Sequence, residues 1–181
     1  MRVVAGKFKR TVLCTLEGDA TRPTKDMVKE ALFSSLNDID GQCFLDLFSG
    51  SGSIGIEAIS RGANKVVFND ASKDACKVIK QNLNKLKLDS TLLNLDYLEC
   101  LKRLHGQKFD YIFCDPPYAF DGHLALFNAV IANDLLNDGG MLIFEVRKGT
   151  QIEYPTTVFE LLKSKNYGIS QLNYFVKVQH D

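Results

Sequence analysis

The sequence predicts an α/β fold built on a mostly parallel sheet, and three observations carry that prediction. Between Cys43 and Val146, short apolar runs alternate with segments whose apolar residues recur at helical spacing. The runs are nearly continuous in apolar character, as strands covered on both faces are. The tail breaks the alternation: 157–163 and 170–178, separated by Asn166-Tyr167-Gly168, read as an antiparallel pair closing the sheet.

Each element follows from its residues. Segments 2–4 and 11–16 read as two short strands joined through Gly6-Lys7, a hairpin ahead of the core. Asp19 to Pro23 is a loop, and Thr24 is placed as the N-cap of a helix whose Val28, Ala31, Leu32 and Leu36 share a face. Strands are predicted at 43–48, 65–69, 91–95, 109–114 and 141–146, and helices at 54–61, 72–86, 97–104 and 124–135. Asn137-Asp138-Gly139-Gly140 reads as a turn before the last parallel strand. No linker or repeat interrupts the chain. One domain is expected over 1–181, with a hairpin extension at 1–21 and a core at 22–181.

Composition narrows the class. The 181 residues carry 22 basic and 22 acidic side chains, so net charge is zero. Against that balance, Arg2, Lys7, Lys9 and Arg10 all precede the first acid, Glu17, and give a basic end suited to phosphates. A solvated basic end without a partner is the plainer reading. Five scattered cysteines without a Cys-x-x-Cys pair argue for reduced thiols, and the three histidines add no ligand spacing, so no metal is expected. No run is long enough to span a membrane, and the first residues lack the apolar core of a signal peptide. A cytoplasmic monomer is expected.

The chemistry concentrates at strand ends. Gly50, Gly52 and Gly55 satisfy G-x-G-x-x-G between a strand and a helix, and Asp70 ends the next strand where an acid would hold a ribose. Asp46, just before the glycines, is badly placed for a pyrophosphate. It suits a donor that carries an ammonium and a sulfonium instead, namely S-adenosylmethionine. Asp96 ends the third strand and can accept from an adenine amino group, with Tyr97 beside it; Phe48 and Ser51 shape the glycine loop. Behind the fourth strand stands Asp115-Pro116-Pro117-Tyr118. Pro116 has no N–H and holds Asp115 extended, so this corner offers carbonyls, a carboxylate and an aromatic face. That combination fits a flat group bearing an exocyclic NH2. A proline-stiffened loop is the structural alternative.

These residues resemble a class I S-adenosylmethionine-dependent amino-methyltransferase with a Rossmann-like fold. The likeness extends to the 22–33 stretch opening Arg22-Pro23-Thr24-Lys25 and to Asp46 through Ala63, closing in Ser60-Arg61-Gly62-Ala63. In that order the stretches are similar to the RsmD family of small-subunit ribosomal RNA guanine-N2 methyltransferases, over nearly the whole chain. Lys25 and Met27 depart from the family's usual polar residue and Arg, and Asp70 stands where Glu is commoner.

The resemblance implies roles. Asp115 and the Pro116 carbonyl would accept the two N–H bonds of the guanine amine and aim its lone pair at the donor methyl. Tyr118 would stack the base beside Pro117, and Phe120 either assists or packs. Arg22 and Thr24 would sit at the entrance, with a plain helix cap the alternative for Thr24. Arg2, Lys7, Lys9 and Arg10 would meet ribosomal RNA, within an assembled or assembling small subunit. Two readings stay open beside this one. The enzyme could methylate adenine N6 or a protein glutamine amide, which fit the same corner, or the chain could be a donor-binding RNA-assembly factor without catalysis.

Overall fold

The computed structural model describes residues 1–18 and 23–179. Its frame is a seven-stranded sheet whose strands are β1 (Cys43–Asp46), β2 (Lys65–Asn69), β3 (Thr91–Leu93), β4 (Phe109–Cys114), β5 (Leu136–Arg147), β6 (Phe159–Tyr167) and β7 (Ser170–Lys177). The spatial order is β3-β2-β1-β4-β5-β7-β6. Strands β1 to β5 pair in parallel, and β7 inserts antiparallel between β5 and β6. The order reverses between β1 and β4, the switch point where open α/β sheets leave a crevice at the carboxyl edge.

Alternation along the strands sorts the core into two layers. Phe44, Val66, Phe68, Tyr111, Phe113 and Ile143 face α1 (Pro23–Ser35), α2 (Ser53–Ser60) and α3 (Lys73–Lys85). Leu45, Val67, Ile112, Leu142 and Phe144 face α4 (Tyr97–Arg103) and α5 (His123–Ala132). Helix α3 lies where its pattern predicts because its start is locally specified: the Ser72 side chain accepts from Ala75 N–H at 3.2 Å.

Four expectations need correction. Helix α1 begins at Pro23, so Thr24 stands in the first turn rather than at the cap. Strand β5 begins at Leu136 rather than Met141, and the predicted turn at 137–140 stands within its span as a bulge that β4 skips, pairing with Leu136 and Met141 on either side. Strand β1 stops at Asp46, short of Phe48, because the following backbone turns into the glycine loop. The N-terminal hairpin has the predicted pairing but no extended strands; a single Arg2–Val12 bridge closes it.

That hairpin is bolted to the core. Val3 and Leu13 are buried in the α1/α2/α3 layer. The wholly buried Glu57 carboxylate accepts Val4 N–H (2.9 Å) and Ala5 N–H (3.0 Å). Ser60 donates to the Ala5 carbonyl at 2.6 Å and accepts from Phe8 N–H at 2.9 Å. Lys29, 2% exposed, donates to the Arg2 carbonyl at 2.6 Å and to Ser53 Oγ at 3.0 Å, and lies 3.5 Å from Glu57. Burial pulls the Lys29 ammonium below its ordinary pKa, and Glu57 opposes that shift. An apolar helix such as α2 needs cover on every side, and the hairpin provides the outer layer.

Candidate active site

Acids end all four strands flanking the crevice: Asp46 on β1, Asp70 after β2, Asp96 after β3 and Asp115 after β4. Asp46 is 1% exposed. Its Oδ2 accepts Gly55 N–H at 3.0 Å, while Oδ1 is buried without a hydrogen-bond partner. Burial raises its pKa to about 7, against the pull of the Gly55 N–H; the Asp70 charge pushes the same way as burial. A buried, half-satisfied carboxylate is costly unless a ligand completes it. A hydrogen-bond donor completes it, a cationic one best of all; a phosphate, which brings acceptors and like charge, does not.

The glycine loop is held from below and from both sides. Asp70 accepts Gly50 N–H at 2.9 Å and Ser72 N–H at 2.8 Å, so it joins the loop to the start of α3. Gly55 is required by packing, because a Cβ there would lie 2.3 Å from the Phe68 ring. Ser49 donates to the Asp46 carbonyl at 2.6 Å. The Asn69 amide, fully buried, ties the Leu47 carbonyl (3.2 Å) to the Leu95 carbonyl (3.0 Å) and so clamps three strand ends together. Asn82 of α3 donates to the Ser51 carbonyl at 2.9 Å and exchanges two hydrogen bonds with the Cys14 backbone.

An aromatic wall stands across from the loop. Ring centroids of Phe48, Tyr97 and Phe120 lie 5.7 Å (Phe48–Tyr97), 5.6 Å (Phe48–Phe120) and 5.2 Å (Tyr97–Phe120) apart. Phe120 therefore packs into the wall at the end of the proline corner. Asp96 caps α4, accepting Leu98 N–H at 3.0 Å, and leaves its carboxylate exposed beside Tyr97. In the corner Pro116 is buried, Asp115 and Pro117 are exposed, and the Pro117 carbonyl accepts Phe120 N–H at 2.9 Å. Tyr118 is 73% exposed, a ring face offered to something outside the chain. Asp46 is in register with Phe113, so Asp115 lies two residues further along, just past the end of β4.

The crevice thus gathers Asp46, Phe48, Gly50, Ser51, Gly52, Asp70, Asp96, Tyr97, Asp115, Pro116, Pro117 and Tyr118 at one sheet edge. Arg2, Lys7, Lys9 and Arg10 are exposed on the hairpin, whose Met1 sulfur receives the Ser51 hydroxyl at 3.8 Å. Arg22 and the Thr24 side chain fall outside the described residues. Sequence reasoning missed Asn69, Asn82, Lys29 and Glu57. It also passed over His123, buried against Phe120 and Phe144 with Nε2 unpartnered and its pKa lowered by burial. Among the described residues no helix is long and apolar enough to cross a membrane.

Comparison with known proteins bears on the fold and the family. The family described as Conserved hypothetical protein 95 matches residues 1–176. Ribosomal RNA small subunit methyltransferase D of Haemophilus influenzae is 35% identical over 93% of this chain and 90% of its own. YlbH of Bacillus subtilis, provisionally described as an rRNA methyltransferase, is 35% identical over 98% of this chain and 99% of its own. The solved Escherichia coli protein yhhF, provisionally described as a methyltransferase, superposes with a TM-score of 0.84 at 25% identity, over 99% of each chain.

Proposed function

The chain belongs to the Conserved hypothetical protein 95 family, and from that premise we propose that it methylates the exocyclic N2 of a guanine in small-subunit ribosomal RNA. The observation that carries the proposal is Asp46 Oδ1, buried and unpartnered at the glycine loop, one strand away from Asp115-Pro116-Pro117-Tyr118. A cation site and an acceptor corner side by side suit a cationic donor and an amine acceptor.

S-adenosylmethionine, when bound, supplies an electrophilic methyl group. Asp46 holds the donor's ammonium. Asp70 keeps lone pairs beyond those given to Gly50 and Ser72 and takes the ribose hydroxyls. Asp96 and the Phe48/Tyr97 wall take the adenine. The guanine amine is a weak nucleophile because its lone pair is delocalised into the ring. Asp115 and the Pro116 carbonyl accept its two N–H bonds, which favours a pyramidal nitrogen and stabilises the positive charge that develops there. Tyr118 stacks the base. Arg2, Lys7, Lys9 and Arg10 meet phosphates of an assembling small subunit in the cytoplasm, and the protein acts as a monomer.

Radiolabelled methyl transfer to small subunits, naked ribosomal RNA and DNA, followed by nucleoside analysis, tests the reading. N2-methylguanosine from small subunits is expected. Label in N6-methyladenosine or in protein would overturn it. Asp115→Ala is expected to lower turnover by about 10²–10³ with donor affinity nearly intact; turnover within a few-fold of wild type would make the corner structural.

A further inference from the structure

Resting on the guanine-N2 reading, we infer that Glu145 is a specificity-determining residue that accepts the N1–H of the target guanine and so excludes adenine-like edges from the corner.

The register places it there. Cys114, the last residue of β4, pairs with Phe144 of β5, so Asp115 leaves β4 at the point where Glu145 continues β5 beside it. Neighbouring strands are about 4.8 Å apart, the scale on which two acceptors can serve one base edge. Cys114 and Phe144 face the α4/α5 layer, so Glu145 faces the other side, in line with Ile143 and with Leu172, its partner on β7. It is a half-buried carboxylate at the end of an apolar row. Burial raises its pKa, while Ser170 and the Lys25 charge at the start of α1 draw it back toward the ionised form.

The chemistry follows from that pair of acids. Guanine presents N1–H and N2–H as adjacent donors on its Watson–Crick edge, which two neighbouring carboxylates match. Adenine presents the N1 lone pair beside its amine, and a carboxylate facing that lone pair repels it. A glutamine amide has no N1–H to offer. Sites built to hydrogen-bond one group reject analogues that lack it far better than apolar pockets do.

The test compares small subunits reconstituted with guanine or 2-aminopurine at the methylated position; 2-aminopurine keeps the amine but has no N1–H. Wild type is expected to favour guanine by about 10² in kcat/KM. In Glu145→Gln the amide can donate to the bare N1, so the preference should fall below about tenfold. Glu145→Asp, the companion variant, keeps the charge and should slow guanine while still rejecting 2-aminopurine. Donor affinity and Tm should hold in both. A wild-type preference retained by Glu145→Gln, or donor affinity falling in step with rate, would overturn the inference. Failure of wild type to form N2-methylguanosine would take the parent reading down with it.

Discussion

Asp46 pairs two properties that rarely coexist without a ligand, full burial and an oxygen with no partner. Its carboxyl stands near pKa 7 because desolvation disfavours the charge. If Asp46 holds the donor ammonium, it does so in its ionised form, so S-adenosylmethionine affinity should fall as pH drops below about 7, approaching tenfold per pH unit. Binding at neutral pH should release about half a proton, read by calorimetry in buffers of different ionisation enthalpy. The stability effect has the opposite sense. The folded pKa lies above the ordinary 3.8, so this group's contribution to the donor-free protein is complete in acid and is lost as pH rises through about 7. The Tm gain on adding donor should therefore widen with rising pH, and Asp46→Asn should flatten both profiles. An unchanged pH profile in that variant would remove Asp46 from the donor site.

At the scale of elements, Gly6 tests whether the hairpin is part of the core. A Cβ there would stand 1.8 Å from the Ser60 carbonyl oxygen, on a backbone at φ +79°. Gly6→Ala should cost about 2 kcal/mol or more in urea unfolding, whereas Gly149→Ala, at φ +87° with open space around it, should cost about 1. Equal costs would mean that the hairpin is merely appended. Legibility divides along the same line. Helix α3 could be read because Ser72 and the spacing of Ala75, Ile79 and Leu83 specify it locally. The acids of the crevice could be read because each ends its own strand. The 137–140 stretch could be read as a turn because its two glycines and two polar residues suit one, and the β4 ladder does skip it; the pairing of Leu136 ahead of it shows only in the register. Asn82 and Glu57 were invisible for a related reason: their partners lie 68 and 53 residues away in sequence. Glu145 gains meaning only from the register of β4, β5 and β7.

For the whole molecule, the question is how a chain of zero net charge finds an anionic polymer. The crevice is lined with acids, which attract a cationic donor and repel phosphate. On the proposed reading, attraction for RNA comes from a separate surface, for which the exposed Arg2, Lys7, Lys9 and Arg10 are the candidates, on a hairpin fixed by Glu57 and Ser60. Met1 at Ser51 brings the base of that hairpin, with Arg2, beside the glycine loop, while Lys7 N–H on the Ser60 carbonyl holds its tip at the far end of α2. A phosphate contact contributes roughly 0.7–0.9 to the log–log salt slope of binding. Neutralising Lys7, Lys9 and Arg10 together should flatten that slope by roughly 2–3 and raise the KM for small subunits. Donor affinity should not move, because its acids sit on the sheet edge. With so few phosphate contacts, naked RNA is expected to be a poorer substrate than the assembled particle, whose proteins and folded RNA add surface; equal rates of methyl transfer to the two would count against this. A salt slope unchanged in the triple variant, measured by filter binding across a salt series, would place the RNA on another face of the molecule.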